Sequence, residues 1–338
     1  MALWDGLTLN TNELTHVFNQ MWMLKSVPMV VRRNPLLYKI LGKQTVVQGA
    51  TGPQVSFERL NKITGSKIEF RLLGKLPSPS YVADGSAELA TATPTYTTDL
   101  WGNVQFDIAH MYSVRGIPSS ELHRFAGDEA KTRSYVTEVF ETEVLGYEKS
   151  LSASINSETS APARDKVGSW LYAVDDGTDY AIYGGLNRAD SANVDFRGNV
   201  TRTVGTLSIQ HIQSAQNACL VRNGKPSVGV CAETVYGIVQ RLAEAYTTVQ
   251  YDSEMSKFGA PNVQISGITF MLEPDAPSGT LGLLDPSTFG VWMKEVGMNA
   301  SFVKDITRPA AHILNWESWV QFLCKKPNSN AKLVGITG

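Results

Sequence analysis

The chain has 338 residues, a net charge of −2 and 43% hydrophobic residues. That content buries a sizeable core, in one large domain or two to three smaller ones, and excludes a disordered chain. The near-zero net charge excludes the global basic field that gathers nucleic acid.

Charged residues make up only 18%, against roughly 25% in a typical soluble protein. The neutral surface this leaves suits contact with other subunits. Cys219, Cys231 and Cys324 show no CxxC spacing and read as free thiols in a reducing cytoplasm, Cys219 and Cys231 as small core residues. Residues 1–10 lack a basic stretch followed by an apolar one, and the apolar run Met21–Val31 contains Lys25 and Pro28. Neither a secretory signal nor a membrane anchor is expected.

In chain order, Leu14, Phe18 and Met21 keep helical spacing after the cap candidate Asn12, and Pro28 ends that helix. Lys25, Arg32, Arg33, Lys39 and Lys43 outweigh Asp5 and Glu13. This first part reads as a solvated arm, or as an arm facing a polyanion or an acidic partner. From Gly49 to Tyr112 two alternating stretches read as strands, Pro53–Leu60 with Val55 and Phe57, and Trp101–Met111 with Val104, Phe106 and Ile108. The polar, Gly/Ser/Pro-rich residues between them are too many for a loop inside a compact domain. Two strands alone do not fold stably in water. The physical resolution is a long hairpin arm that packs on a neighbouring subunit.

The longest helical pattern runs from Gly127 to Ser157. Val136, Phe140, Val144, Tyr147, Leu151 and Ile155 are spaced by three or four and form one stripe. At 1.5 Å per residue such a helix spans ~45 Å, more than the ~20 Å radius of gyration of a chain this long. It reads as a spine for the other elements. Trp170–Gly177 is expected to be irregular, and Asp175, Asp176 and Asp179 to form a solvated acidic turn. Gly184-Gly185-Leu186-Asn187-Arg188 is a turn signal, and fits neither phosphate-loop pattern. Thr206–Val221 reads as a helix, Val228–Val230 as a buried strand, Ala232–Ala245 as a second helix and Val263–Leu272 as a strand region, together a compact α/β unit. Short strands are expected over 281–284, 289–293, 302–306 and 313–323.

Chemistry is sparse. His16, His110, His123, His211 and His312 form no HxH, HxxxH or HExxH, and there is no GxSxG. No basic stretch is interleaved with aromatic residues, so any DNA contact is expected to be diffuse and electrostatic.

The order of parts, together with Gly184–Arg188 and the following Asn199-Val200-Thr201, resembles the major capsid proteins of tailed bacteriophages with the Hong Kong 97-type fold. The resemblance implies an α+β chain that encloses double-stranded DNA as pentamers and hexamers of an icosahedral shell, without enzymatic activity, metal or cofactor. It implies an N-terminal arm over 1–48 and an extended loop over 49–113. A peripheral domain would take 114–205 and 287–327, with the spine helix at 121–157. An axial domain would take 206–286 and 328–338. Neighbour contacts would come from Phe57, Lys62, Lys67, Lys75, Tyr81, Val104 and Phe106 of the loop. The arm begins close to Met1, so a separate scaffolding protein is expected, alongside a portal protein and a cement or decoration protein. Manufacture in the host cytoplasm and residence in the virion follow. Two other readings stay open: an encapsulin-like bacterial compartment shell, and a cytosolic α+β enzyme whose catalytic groups converge in space.

Overall fold

The computed structural model describes residues 34–42, 44–49, 52–57, 60–73, 101–118, 129–190, 193, 196–246, 262–304 and 311–337. The expected helix over 14–24, the cations Lys25, Arg32, Arg33 and Lys43, and the loop residues Lys75 and Tyr81 lie outside these residues. So do the side chains of Phe57, Val136, Phe140 and Val144.

The first element is helix α1 (Pro35–Leu41), inside the stretch read from sequence as a solvated arm. Asn34 Oδ1 accepts from the Leu37 N–H at 2.8 Å, and Pro35 presets φ for the first turn. Gly42, with φ of 75°, closes it. Leu36, Leu37, Ile40 and Leu41 are buried in the larger core, so the end of the arm is part of the subunit's interior.

Strands β1 (Gln44–Gly49) and β2 (Gly52–Phe57) form an antiparallel hairpin with Val46 opposite Val55. Among the described residues this hairpin belongs to no larger sheet. Strand β3 (Leu60–Ile63) precedes β4 (Lys67–Leu73), which pairs antiparallel with β5 (Trp101–Asp107). This corrects one sequence expectation. The partner of the Trp101 strand is Lys67–Leu73, whose alternating Ile68 and Phe70 stand opposite Phe106 and Val104. Pro53–Phe57 pairs with β1 instead. The described part of the loop is therefore rooted at β4 and β5. Strands β3 and β6 (Ala109–Pro118) join a sheet with strands near the C-terminus.

Helix α2 (Glu129–Ile155) has 27 residues and spans ~40 Å. Tyr147, Leu151 and Ile155 are buried, and Val139, which lies off the expected stripe, is buried too. The helix grips the sheet by polar contacts as well. The Arg115 guanidinium and the Ser113 hydroxyl of β6 both donate to Glu143, at 2.7 and 2.6 Å. Ser318 Oγ donates to Tyr147 Oη at 2.8 Å. Helix α3 (Trp170–Ala173) stands where an irregular stretch was expected, with Trp170 fully buried. Strands β7 (Ile182–Tyr183) and β8 (Leu186–Asn187) form a tight hairpin.

The remaining elements build two sheets. Strands β9 (Asn199–Thr201) and β10 (Gly205–Thr206) lead into helix α4 (Ile209–Val221), then β11 (Val228–Cys231) and helix α5 (Glu233–Tyr246). Strands β12 (Asn262–Ile265), β13 (Ile268–Leu272) and β14 (Thr280–Leu284) follow, and then β15 (Phe289–Lys304), β16 (Ala311–Cys324), β17 (Ala331–Val334) and β18 (Ile336–Thr337). A six-stranded mixed sheet has the order β12-β13-β11-β14-β17-β9. It starts ahead of the expected boundary at 206, because β9 pairs with β17. Its two faces serve two cores, as the period of two requires. Val228, Val230, Met271 and Leu284 face the larger core. Cys231, Phe270, Leu281 and Leu333 pack with Ile212, Cys219, Val235 and Val239 of α4 and α5.

The second sheet has the order β3-β15-β16-β6. Two expected short strands, over 289–293 and 302–306, are one long strand, β15. Its register shifts between Met293 and Met298. An irregularity in the ladder bends the strand there without ending it.

Candidate assembly site

The hairpin β7–β8 joins three parts of the subunit. Gly184 and Gly185 have φ of 57° and 87°, which places both in the left-handed region where glycine is favoured. The Gly184 carbonyl accepts from the Gln105 N–H of β5 at 3.0 Å. A Cβ on Gly184 would stand 2.6 Å from the Phe106 ring and 2.8 Å from Val104. The root of the β4–β5 hairpin thus sits directly on the turn.

Beside the turn, Tyr183 holds the end of β16. Its hydroxyl donates to the Cys324 carbonyl and accepts from the Cys324 N–H, each at 2.9 Å. The Phe106 ring meets the Tyr183 ring edge-on at 4.8 Å, and Phe70 stacks on Trp292 at 5.7 Å. Val104 and Phe106 are 2% and 4% exposed. This is a second correction: both were expected to touch a neighbour, and both are buried in their own chain. Strand alternation puts one face of β5 on Gly184 and Tyr183. Of the other loop positions, Lys62 and Lys67 are exposed, and Lys67 Nζ donates to Gln105 Oε1 at 3.1 Å. A cleft of about 250 Å³ lies beside the root, lined by Lys67, Gln105, Asp107, Pro162, Tyr172 and Gly184.

Arg188 ends the turn and is fully buried. Its guanidinium donates to the carbonyls of Tyr172, Asp175 and Ala173 at 3.1, 3.2 and 2.8 Å. It also lies 4.5 Å above the Tyr183 ring. Burial pulls its pKa down, and the neighbouring Tyr183 and Asp175 oppose that. These carbonyls close the last turn of α3, where orphan acceptors gather. Leu186 is half-buried, while Asn187 is exposed and its side chain caps the Ala189 N–H at 3.0 Å.

The expected solvated acidic turn is an ion-pair cluster, a third correction. Asp175 is fully buried and pairs with Lys332 Nζ of β17 at 3.1 Å. Arg202 reaches Asp176 at 2.6 Å and Asp179 at 2.9 Å. Its hydrogen bonds hold the Asp176 carboxyl far below the usual carboxylate range. Buried charges persist only when paired, and the partners come from 27 and 157 residues away, out of reach of a local pattern. Among the described residues no group of three His, Cys, Asp or Glu is placed to hold a metal ion.

Three features of this geometry define the architecture: a hairpin rooted on a glycine turn, a long helix along a four-stranded sheet, and a separate mixed sheet with two helices. The same architecture occurs in the capsid of cyanophage A-1(L), with a TM-score of 0.64 over 82% of this chain and 90% of that one, at 13% identity. The chain has the Hong Kong 97-type capsid fold. The capsid of an empty GTA particle shares this fold, with a TM-score of 0.56 at 9% identity over 82% of this chain and 88% of that one. So does the encapsulin of Synechococcus elongatus, with a TM-score of 0.51 at 10% identity over 82% and 85%. No protein-family model matches the sequence, and no curated protein is significantly similar to it. The Hong Kong 97-type fold is thus carried here by geometry rather than by sequence likeness. Within it the turn Gly184–Arg188 has a physical task, because it seats strand β5 of the β4–β5 hairpin.

A substitution isolates that task. Gly184→Val is expected to cost about 2–4 kcal/mol, from the left-handed φ and from crowding against Phe106 and Val104. Urea unfolding measures it. Gly185→Ala, with open space around its Cβ, should cost about 1 kcal/mol.

Proposed function

We propose that this chain is the major capsid protein of a tailed phage. Copies associate as pentamers and hexamers into an icosahedral shell around double-stranded DNA. The observation that carries this reading is the likeness to the cyanophage capsid protein over 82% of this chain and 90% of that one. The mixed sheet with α4 and α5 would gather around the five-fold and six-fold axes. Helix α2 and the sheet β3-β15-β16-β6 would form the peripheral domain. The hairpin β4–β5 and the segment it carries would reach over a neighbour. The neutral composition fits DNA held by confinement, with diffuse contacts. A separate scaffolding protein, a portal protein and a decoration protein would complete the particle, made in the host cytoplasm and resident in the virion.

The second reading is a bacterial compartment shell, favoured by the encapsulin likeness at a TM-score of 0.51. The higher score of the cyanophage capsid, 0.64, favours the phage.

Expression of the chain with sedimentation and negative-stain microscopy tests both. Rings or shells support a shell protein, and a monomer or dimer under every condition rejects it. Nuclease-protected DNA in particles from infected cells then separates phage from compartment. Limited proteolysis tests the arm: residues 74–100 should be cut in free subunits and protected in shells. Equal cleavage in both would reject the arm assignment.

A further inference from the structure

Strand β6 is one edge of the four-stranded sheet and β3 is the other. In an antiparallel pair successive N–H groups point alternately to the partner and away from it. The His110 N–H points away from β16, since it donates to the Arg164 carbonyl at 2.9 Å. By the same parity the N–H groups of Tyr112, Val114 and Gly116 point to the open side. Among the described residues no strand pairs there. Tyr112 and Val114 are 72% and 59% exposed. The opposite face of the strand is occupied, because Ser113 and Arg115 bond to Glu143 of the long helix. A long exposed edge with apolar side chains is a template for a further strand.

Among the described residues the chain also carries a hairpin outside any larger sheet. There strands β1 and β2 pair with each other alone, and an isolated two-stranded hairpin is marginal in water. Pro53 removes a donor from β2, whereas β1 (Gln44–Gly49) keeps every N–H. It also carries no charge of its own, so nothing on it repels the positive Arg115 beside the β6 edge. The hairpin enters the sheet at β3, only two residues after Phe57. That is the edge opposite β6, about 14 Å away across three inter-strand gaps.

We infer that β1 of one copy adds as a strand to the open edge of β6, from Tyr112 to Pro118, in the next copy. The added strand and the edge that receives it are different segments of the chain, so the contact is head-to-tail. Repetition closes a ring or builds a filament, according to the rotation between copies. This deepens the shell reading and rests on it: the sheet edge would be the seam between subunits, with Tyr112 and Val114 covered by the added strand.

Proline tests the edge. Val114→Pro removes an N–H that pairs with no strand among the described residues and blocks strand addition. The variant should keep the unfolding midpoint of the unaltered chain yet need at least tenfold more protein to form rings or shells. Val114→Thr, which keeps the N–H, should assemble normally. An independent readout avoids any effect of proline on folding. Chains bearing Val47→Cys, mixed with chains bearing Val114→Cys, should form a disulfide between the two kinds on oxidation, and neither variant should do so alone. Normal assembly of the proline variant, or no mixed disulfide in assembled particles, overturns the seam and leaves the shell reading intact. Failure of the unaltered chain to assemble at all overturns both.

Discussion

Arg188→Met is expected to destabilise the subunit by about 3–5 kcal/mol, through loss of the charged hydrogen bonds to three backbone carbonyls. Methionine fills a similar volume but leaves the carbonyls of Tyr172, Ala173 and Asp175 without their donor. Each buried acceptor left unpaired costs about 1–3 kcal/mol. The stacking of the guanidinium over Tyr183, at 4.5 Å, is lost as well. Arg188→Lys keeps the charge but not the planar fork, so it should recover only part of the loss. The urea midpoint of each variant decides this. A midpoint unchanged in Arg188→Met would mean that the turn is held by its glycines and by Tyr183 alone. Because the same turn seats the root of the hairpin, surviving Arg188→Met subunits should also assemble poorly.

Glu273 governs the second large effect, through pH. It follows strand β13, is fully buried, and takes a 3.4 Å bond from the Ser152 hydroxyl of the long helix. Burial raises its pKa from 4.5 to about 8, and Asp275 beside it adds to the rise, while the Leu36 N–H and the Ser152 and Asn156 side chains oppose it. A carboxyl raised in the folded state keeps its full contribution to stability below pH ~4.5. Between there and about pH 8 the unfolded chain ionises while the folded chain holds its proton, so stability falls as pH rises. At about 1.4 kcal/mol per unit the whole loss is about 2–5 kcal/mol. Glu273→Gln removes the titration. The variant should show a flatter midpoint between pH 5 and 8.5, and exceed the unaltered chain most clearly at the upper end. Parallel pH profiles for the two proteins would refute this account of Glu273.

The pH effect falls on a junction, because Glu273 touches the long helix through Ser152 and helix α1 through the Leu36 backbone. The expected consequence is local first. Amide exchange in α1 should quicken with pH beyond its intrinsic rise before the molecule unfolds as a whole.

Elements set by local pattern were legible in the sequence. Helices α4 and α5 and the core of the long helix follow from apolar spacing of three and four, and the buried strand β11 from a short run without polar side chains. Ile212, Ala215 and Cys219 are buried as that spacing requires. The glycine turn was legible because positive φ has a residue signature. Helix α1 also left a signal that was passed over: Asn34-Pro35 followed by Leu36, Leu37, Ile40 and Leu41 is a cap and an apolar face. The charge excess of the arm masked it. Strand β4 was missed in the same way, since Ile68 and Phe70 alternate correctly just ahead of the Pro- and Ser-rich residues that begin at Lys75.

By itself the sequence determined the elements whose stability is local: amphipathic helices, turn glycines, alternating strands, and a composition suited to burying a core with a neutral surface. The tertiary structure alone decided pairing and burial. It put Val104 and Phe106 against Gly184 and Tyr183 rather than outward, because strand alternation leaves the direction of a face open until a partner is present. It buried Asp175 and Arg188, because a charge enters a core only when partners from distant segments meet it there. Among the described residues it also left β6 with an open edge and β1–β2 outside any larger sheet, since strand pairing is a long-range choice that no window of residues encodes.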